Sequence, residues 1–168
     1  MNIRLKIYSF RFAEQVLNSN LSLKQEVEQI LSDPRIDVRN LSRPKFNAIL
    51  DQLFLEKGWQ RQPAVFNENI DAYAKMDFLK NRIGIEVEFG HSSFIGIDLL
   101  KFQVASYSGF DKIDVGIYIT TTRNFQNIMK NELRQNWEGS LTFEKVVRYL
   151  PLLKSAIQVP IYVIGIDL

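Results

Sequence analysis

Residues 75–89 read Lys75-Met76-Asp77-Phe78-Leu79-Lys80-Asn81-Arg82-Ile83-Gly84-Ile85-Glu86-Val87-Glu88-Phe89. Two largely apolar segments flank the short polar connection Lys80-Asn81-Arg82, and this pattern predicts a β-hairpin. Side chains alternate between the two faces of a strand, so Glu86 and Glu88 share one face while Ile85, Val87 and Phe89 share the other. We expect the apolar face to point into the core.

The same hairpin predicts a cluster of carboxylates. With Asn81 and Arg82 as the two central turn residues, Asp77 lies opposite Glu86 and Lys75 lies opposite Glu88. Opposed carboxylates about 5 Å apart repel by about 3 kcal/mol at an effective dielectric constant near 20. A divalent cation between them would remove this repulsion, and oxygen-only ligation suits Mg²⁺. The spacing leaves a second interpretation open, in which these groups form a solvated strand face and Lys75 neutralises Glu88.

The rest of the chain predicts an α/β sandwich with a mixed central sheet. Ser22 with Gln25 forms a predicted capping box, Ser42 with Pro44 predicts a second helix start, and Gly58 predicts a helix end. The predicted elements are a strand at 3–7, helices beginning near Phe12, at Ser22 and at Ser42, strands at 59–66, 72–79 and 83–89, a helix from Ser92 or Ser93 to Tyr107, a strand at 113–119, helices at 124–136 and 142–150, and a buried strand at 159–166.

The helix predicted to end at Tyr107 is apolar around nearly its whole circumference. A helix of this kind is covered on most sides, either by its own core or by a second subunit.

Composition excludes several classes of protein. With 46% apolar and 24% charged residues, the chain has the balance of a soluble globular protein, and no apolar run approaches the length of a membrane span. We therefore expect a cytoplasmic protein without membrane contact. The absence of cysteine excludes disulfides and thiolate sites, and a single histidine excludes a His-rich metal site. Any metal must be held by oxygen, and the net charge of +2 decides nothing about nucleic acid.

Several motifs together carry a resemblance to a known family. They are Asp77-Phe78, Ile85-Glu86-Val87-Glu88-Phe89-Gly90, Ser93-Phe94, Asp98-Leu99, Asp111-Lys112-Ile113-Asp114-Val115-Gly116 and Val159-Pro160-Ile161 with Ile164-Gly165-Ile166. This pattern resembles the BglII/BstYI group of type II restriction endonucleases, which is related to BamHI and belongs to the PD-(D/E)xK nuclease superfamily. The match runs from about Gly58-Trp59 to the C-terminus, whereas over residues 1–57 only the order of elements agrees.

The resemblance implies a single nuclease domain with a PD-(D/E)xK restriction-endonuclease-like core. Residues 58–168 would form the catalytic core, with a central mixed β-sheet flanked by helices. Residues 1–57 would form a mainly helical N-terminal part that contributes to dimer contacts. The group's targets are palindromes centred on GATC, which a twofold homodimer reads one half-site per subunit.

The resemblance also assigns roles to the carboxylates. Asp77 and Glu86 would bind Mg²⁺, for which Mn²⁺ can substitute, and Glu88 stands where the superfamily usually has lysine and this group has glutamine or glutamate. The implied reaction is in-line hydrolysis of DNA phosphodiesters to 5′-phosphate ends. Glu88 is then the candidate base that orients the attacking water. An additional metal ligand is usual in such sites, and Glu56, Gln62 and Glu68 are the candidates.

Candidate DNA contacts flank the carboxylates. In the resembled group the loop after the E-x-E motif reaches base edges, and here it contains His91, Ser92 and Ser93. Thr122, Arg123 and Asn124 follow the strand predicted at 113–119 and either contact bases or cap the next helix. Lys112 either touches a phosphate or pairs with its acidic neighbours. A restriction enzyme also implies a cognate DNA methyltransferase as its functional partner.

Three other functions remain open at this stage. A nuclease of the same fold could act in repair or structure-specific cleavage, and the compact chain, with little room for recognition insertions, favours this alternative somewhat. A DNA-binding module without catalysis would leave the carboxylates as a solvated face. A glycosidase could use Glu86 and Glu88, about 6 to 7 Å apart on one strand, but no aromatic-lined cleft is recognisable near them, so it ranks last.

Overall fold

The computed structural model describes residues 1–65, 75–107, 109, 111–137 and 139–168. Within these residues a mixed six-stranded sheet has the order β1-β6-β5-β4-β3-β2. The central strands β4, β5 and β6 are parallel, and the outer pairs are antiparallel. The strands are β1 (Arg4–Phe10), β2 (Gln60–Arg61), β3 (Phe78–Lys80), β4 (Ile83–Val87), β5 (Val115–Thr121) and β6 (Ile161–Asp167).

Helices cover both faces of this sheet, which confirms the predicted α/β architecture. Helices α1, α2, α3 and α5 share a hydrophobic cluster with one face, and α4 and α6 share a cluster with the other. In the described part of the chain no helix is both long enough and apolar enough to cross a membrane. The helices are α1 (Ala13–Asn18), α2 (Leu21–Leu31), α3 (Arg43–Glu56), α4 (Phe94–Tyr107), α5 (Arg123–Asn131) and α6 (Phe143–Tyr149), with short 3-10 helices at Val38–Asn40 and Leu150–Leu153.

The two clusters follow from the alternation of side chains along the buried strands. On β5, Ile117 and Ile119 pack on the side of the N-terminal helices, whereas Tyr118 packs on the side of α4. Every residue of β5 and β6 is buried, as expected for strands covered on both faces. The predicted C-terminal strand of the central sheet is therefore confirmed.

The predicted hairpin register is confirmed where the strands pair. Phe78 faces Ile85, and Lys80 faces Ile83, so the turn has Asn81 and Arg82 at its centre. Both turn residues have positive φ angles, 46° and 64°, as the favoured two-residue hairpin turns require. The Arg82 guanidinium is held by Asp111 and Asp114, which fixes a residue that rarely adopts this conformation.

Helix boundaries agree with several of the sequence signals. Ser42 caps α3 by accepting a hydrogen bond from the Lys45 backbone N–H, and Gly58 follows α3 with φ at 79°. The Ser22 capping box was wrong, because Asn20 is the N-cap and Ser22 already lies inside α2. The helix expected over 124–136 also ends earlier, at Asn131.

The strands predicted at 59–66 and 72–79 are shorter in the structure. Within the described residues of these segments, β2 and β3 pair as strands, and an isolated bridge joins Ala64 to Lys75. The β3–β4 ladder ends at the pair Phe78–Ile85, so the pairing expected between Lys75 and Glu88 is not part of it. Residues 66–74, and with them the predicted metal ligand Glu68, lie outside the described residues.

Candidate active site

The three predicted carboxylates converge at the end of the hairpin opposite to the turn. The β3–β4 ladder ends at Phe78. Beyond it, Asp77 Oδ2 accepts a hydrogen bond from the Val87 backbone N–H at 2.7 Å. Glu86 lies on β4 beside Tyr118 of β5. Glu88 follows β4, and its Oε1 accepts from the Gly90 backbone N–H at 2.5 Å. Asp77, Glu86 and Glu88 line one pocket of about 180 Å³.

The carboxylates of this pocket carry more negative charge than the neighbouring cations balance. Burial raises the pKa of Glu86 to about 9, and the neighbouring charge of Asp77 adds to this shift. Burial also raises the pKa of Asp77, against the opposing effect of its Val87 hydrogen bond. The pKa of Glu88 is raised for the same reason, against the hydrogen bond from Gly90. The sheet therefore holds three acidic groups where ionisation is unfavourable without an added cation.

The residues present fit a divalent cation. Glu86 is only 3% exposed, and its Oε1 is paired with the Lys101 ammonium at 2.8 Å. Asp77 and Glu86 offer the hard oxygen ligands that Mg²⁺ prefers. In the described part of the chain, no three His, Cys, Asp or Glu side chains are grouped closely enough to form a metal site, so two carboxylates plus water and substrate oxygens would have to hold the ion.

Helix α4 contributes two charged side chains that the sequence interpretation did not assign a role. Lys101 Nζ lies 3.0 Å from Asp98 Oδ1, one helical turn away, and the same pocket is lined by both residues. Tyr118 Oη donates to Asp98 Oδ2 at 3.0 Å. A signal was present in the sequence, because Asp98 and Lys101 are the two charged residues of an otherwise apolar helix.

The two described candidates for the additional metal ligand, Gln62 and Glu56, lie in different places. Gln62 lines the pocket beside Asp77, and its backbone N–H donates to the Asp77 carbonyl at 2.8 Å. Glu56 is instead held on the protein surface by Arg35 and Gln52, and it does not line this pocket. Of the described candidates, only Gln62 is in a position to contribute.

A second pocket of about 230 Å³ adjoins Asp77 on the side of α3. Its polar lining includes Asn47 and the ion pair between Asp51 and Arg61, whose N–O distance is 2.7 Å. None of these residues was singled out from the sequence. Their contribution depends on α3 packing beside the short strand β2, which spacing along the chain does not reveal.

The loop after Glu88 keeps polar groups at the surface. His91 and Ser93 are exposed, and His91 Nδ1 contacts Ser93 Oγ at 2.9 Å. Ser92 is partly buried: its N–H donates to Ser140 Oγ, and its hydroxyl accepts from Lys145 Nζ at 3.2 Å. The DNA contacts predicted for these three residues stay predictions.

Of the residues after β5, Thr122 and Asn124 have structural partners. The buried Thr122 caps α5 and donates to Asp167 Oδ1, and Asn124 Nδ2 donates to the same oxygen. The capping alternative for this segment is therefore confirmed, while Arg123 is exposed. The Lys112 ammonium donates to the Ala64 carbonyl at 2.8 Å. Lys112 precedes β5, whereas Thr122 follows the opposite end of the same strand.

Comparison with solved structures identifies the fold. The chain is similar to the crystal structure of restriction endonuclease BglII complexed with a DNA 16-mer, with a TM-score of 0.74, 20% identity, and coverage of 96% of this chain and 75% of that chain. It is also similar to free BglII, with a TM-score of 0.62, 21% identity, and coverage of 96% and 78%. The fold is thus the α/β nuclease fold of a restriction endonuclease.

Sequence comparison gives the family. The model described as restriction endonuclease BglII/BglIII matches residues 5–166, and the chain therefore belongs to this family of nucleases. No curated protein sequence matches the chain.

Proposed function

We propose that the protein is a Mg²⁺-dependent type II restriction endonuclease of the PD-(D/E)xK superfamily. It cleaves double-stranded DNA at a short, GATC-like palindrome. The observation that carries this proposal is the pair formed by the partly buried Asp77 and the buried Glu86, with Glu88 beside it, in a chain of the BglII/BglIII family. Lys101 pairs with Glu86 and Asp98, so the carboxylates of the pocket exceed what this cation balances, and a metal-dependent nuclease needs such an excess.

The chemistry is hydrolysis at phosphorus. Water forms a new P–O bond as the bond to the 3′ oxygen breaks, so the products are a 3′-hydroxyl and a 5′-phosphate. A bound Mg²⁺ would supply Lewis acidity toward the phosphate oxygens and the attacking water. Asp77 and Glu86 would hold the ion, with Gln62 as the additional ligand. Glu88, fixed by the Gly90 backbone N–H, orients the attacking water and accepts its proton.

Sequence recognition involves surfaces next to the pocket. His91, Ser92 and Ser93 lie within a few residues of Glu88, where a base edge can approach, and the exposed Arg123 can form the bidentate contact that arginine makes with guanine. Lys112 is the remaining proposed contact, whereas Thr122 and Asn124 are held by Asp167 and position Arg123 at the start of α5. A cognate DNA methyltransferase, protecting the same palindrome, is the expected functional partner.

The proposed enzyme is a homodimer of single-domain subunits. Helix α4 buries one side against the sheet and leaves a stripe of large apolar residues exposed, formed by Phe94, Ile97, Leu100 and Tyr107. A partner subunit on this stripe would remove it from water. Phe94 and Ile97 also line the acidic pocket, so this interface would bring the two active sites close to the twofold axis, as cleavage of a palindrome requires.

Leu100→Glu is expected to weaken dimerisation by about 30-fold or more, because it inserts a charge into the apolar stripe. Sedimentation velocity at several protein concentrations measures the shift to monomer. Leu55→Glu is the matched control, since Leu55 is equally exposed but lies at the end of α3. Dissociation by the control alone would move the interface from α4 to the N-terminal helices.

Digestion of plasmid DNA with Mg²⁺, followed by sequencing of the fragment ends, tests the proposed reaction. We expect discrete fragments that share one palindrome and carry 5′-phosphates. A smear of fragments with unrelated ends would instead favour a nuclease of the same fold with a repair or structure-specific role. Intact DNA under all metal conditions would favour a DNA-binding module without catalysis.

A further inference from the structure

Lys101 is a partly buried ammonium among the acidic groups of the pocket. Its side chain is 11% exposed, and Nζ lies 2.8 Å from Glu86 Oε1 and 3.0 Å from Asp98 Oδ1. The carbonyl oxygen of Lys75 is a third partner, at 3.3 Å. Lys101 therefore places an ammonium inside the candidate active site, held by two carboxylates and a carbonyl oxygen.

We infer that Lys101 is a catalytic residue whose ammonium contacts a non-bridging oxygen of the scissile phosphate. This inference rests on the proposed nuclease function. Strand β4 and the residue after it supply no cation here, because their side chains in the pocket are Glu86, Val87 and Glu88. Lys101 reaches the same pocket from helix α4, on the face of the sheet that Glu86 occupies.

The charges of the pocket explain why such a cation is needed. Asp77, Glu86, Glu88 and Asp98 all line it, and a phosphodiester adds another negative charge. An ammonium has three N–H donors, and Lys101 directs them at Glu86, Asp98 and the Lys75 carbonyl. When a phosphate enters, the donor facing Glu86 can turn to it while the other two keep Nζ in place.

Asp98 is the positioning residue for Lys101. Asp98 is 5% exposed and lies one helical turn before Lys101 on the same face of α4. The Tyr118 hydroxyl orients its carboxylate by a hydrogen bond. A buried carboxylate fixed on both oxygens would hold the ammonium close to one position. This fixed geometry is what stabilisation of charge developing on a phosphate requires.

Two neutral variants, Lys101→Met and Lys101→Gln, test the inference against the matched variant Lys101→Arg, which keeps the charge. We expect both neutral variants to cleave plasmid DNA about a hundredfold more slowly, whereas Lys101→Arg keeps a substantial part of the rate. Mn²⁺ binding, titrated without DNA, should be as tight as in the wild type or tighter, because the cation nearest to Glu86 is gone. Lys101→Gln is the replacement of choice if Lys101→Met does not fold.

The outcomes separate this inference from the proposed function. Cleavage by the neutral variants within about threefold of the wild type would overturn the role of Lys101. A parallel loss of Mn²⁺ binding and cleavage would also overturn it, since Lys101 would then only arrange the metal ligands. Absence of cleavage by the wild-type protein itself would overturn the proposed nuclease function, and this inference with it.

Discussion

Replacing Asp77 by asparagine is expected to lower the rate of DNA cleavage by about 10³-fold or more, because the change removes a carboxylate that a divalent cation needs. The fold should survive, since the asparagine side-chain oxygen can still accept the hydrogen bond from the Val87 backbone N–H. DNA affinity should stay the same or increase, because a negative charge beside the phosphates is lost. Plasmid cleavage and a gel-shift titration measure the two effects separately.

Asp111→Asn is the matched control for this variant. It makes the same chemical change in an exposed residue near the turn of the same hairpin, where asparagine suits the positive φ angle of 47°. We expect cleavage by the control to equal that of the wild type. Unchanged cleavage by Asp77→Asn would leave the carboxylates as a solvated face and would contradict the proposed mechanism.

Glu86→Gln is expected to abolish cleavage and yet to stabilise the metal-free protein at high pH. Burial, aided by the charge of Asp77, raises the pKa of Glu86 from the ordinary value of 4.5 to about 9, and Lys101 opposes this shift only in part. The folded state therefore keeps a proton that the unfolded state has released. The resulting stability is fully present below pH 4.5 and is lost as the pH rises toward 9, by at most about 1.4 kcal/mol per pH unit.

Urea denaturation in the presence of a chelator, at pH 5, 7 and 9, measures this difference. Glutamine does not ionise, so the unfolding free energy of the variant should exceed that of the wild type by a margin that grows with pH. Added Mg²⁺ should stabilise the wild type at pH 8 more than it stabilises the variant. A variant that is less stable than the wild type at all three pH values would contradict the electrostatic account of Glu86.

Local signals in the sequence were enough to predict the hairpin and its carboxylates. The two-residue turn at Asn81-Arg82 fixes the register, and the alternation around Glu86 fixes which face carries the acids. Both depend on residues close together in the chain. For the same reason Ser42 and Gly58 correctly marked the ends of α3.

The errors arise where neighbours distant in sequence determine the structure. Lys75 bridges Ala64 because β2 pairs with the outer edge of β3, and this pairing joins segments distant in the chain. Ser22 lies inside α2 because the two-residue connection from α1 starts the next helix at Leu21. Lys101 reaches Glu86 only through the packing of α4 on the sheet, which the spacing of charges along the chain does not specify.

Crystals of the protein soaked with Mn²⁺ test most directly whether the carboxylates form a metal site. We expect an anomalous difference peak in contact with Asp77 and Glu86, together with a lengthened distance between Lys101 Nζ and Glu86 Oε1. Absence of a peak there at saturating Mn²⁺, with the Glu86–Lys101 contact unchanged, would contradict the proposed metal site.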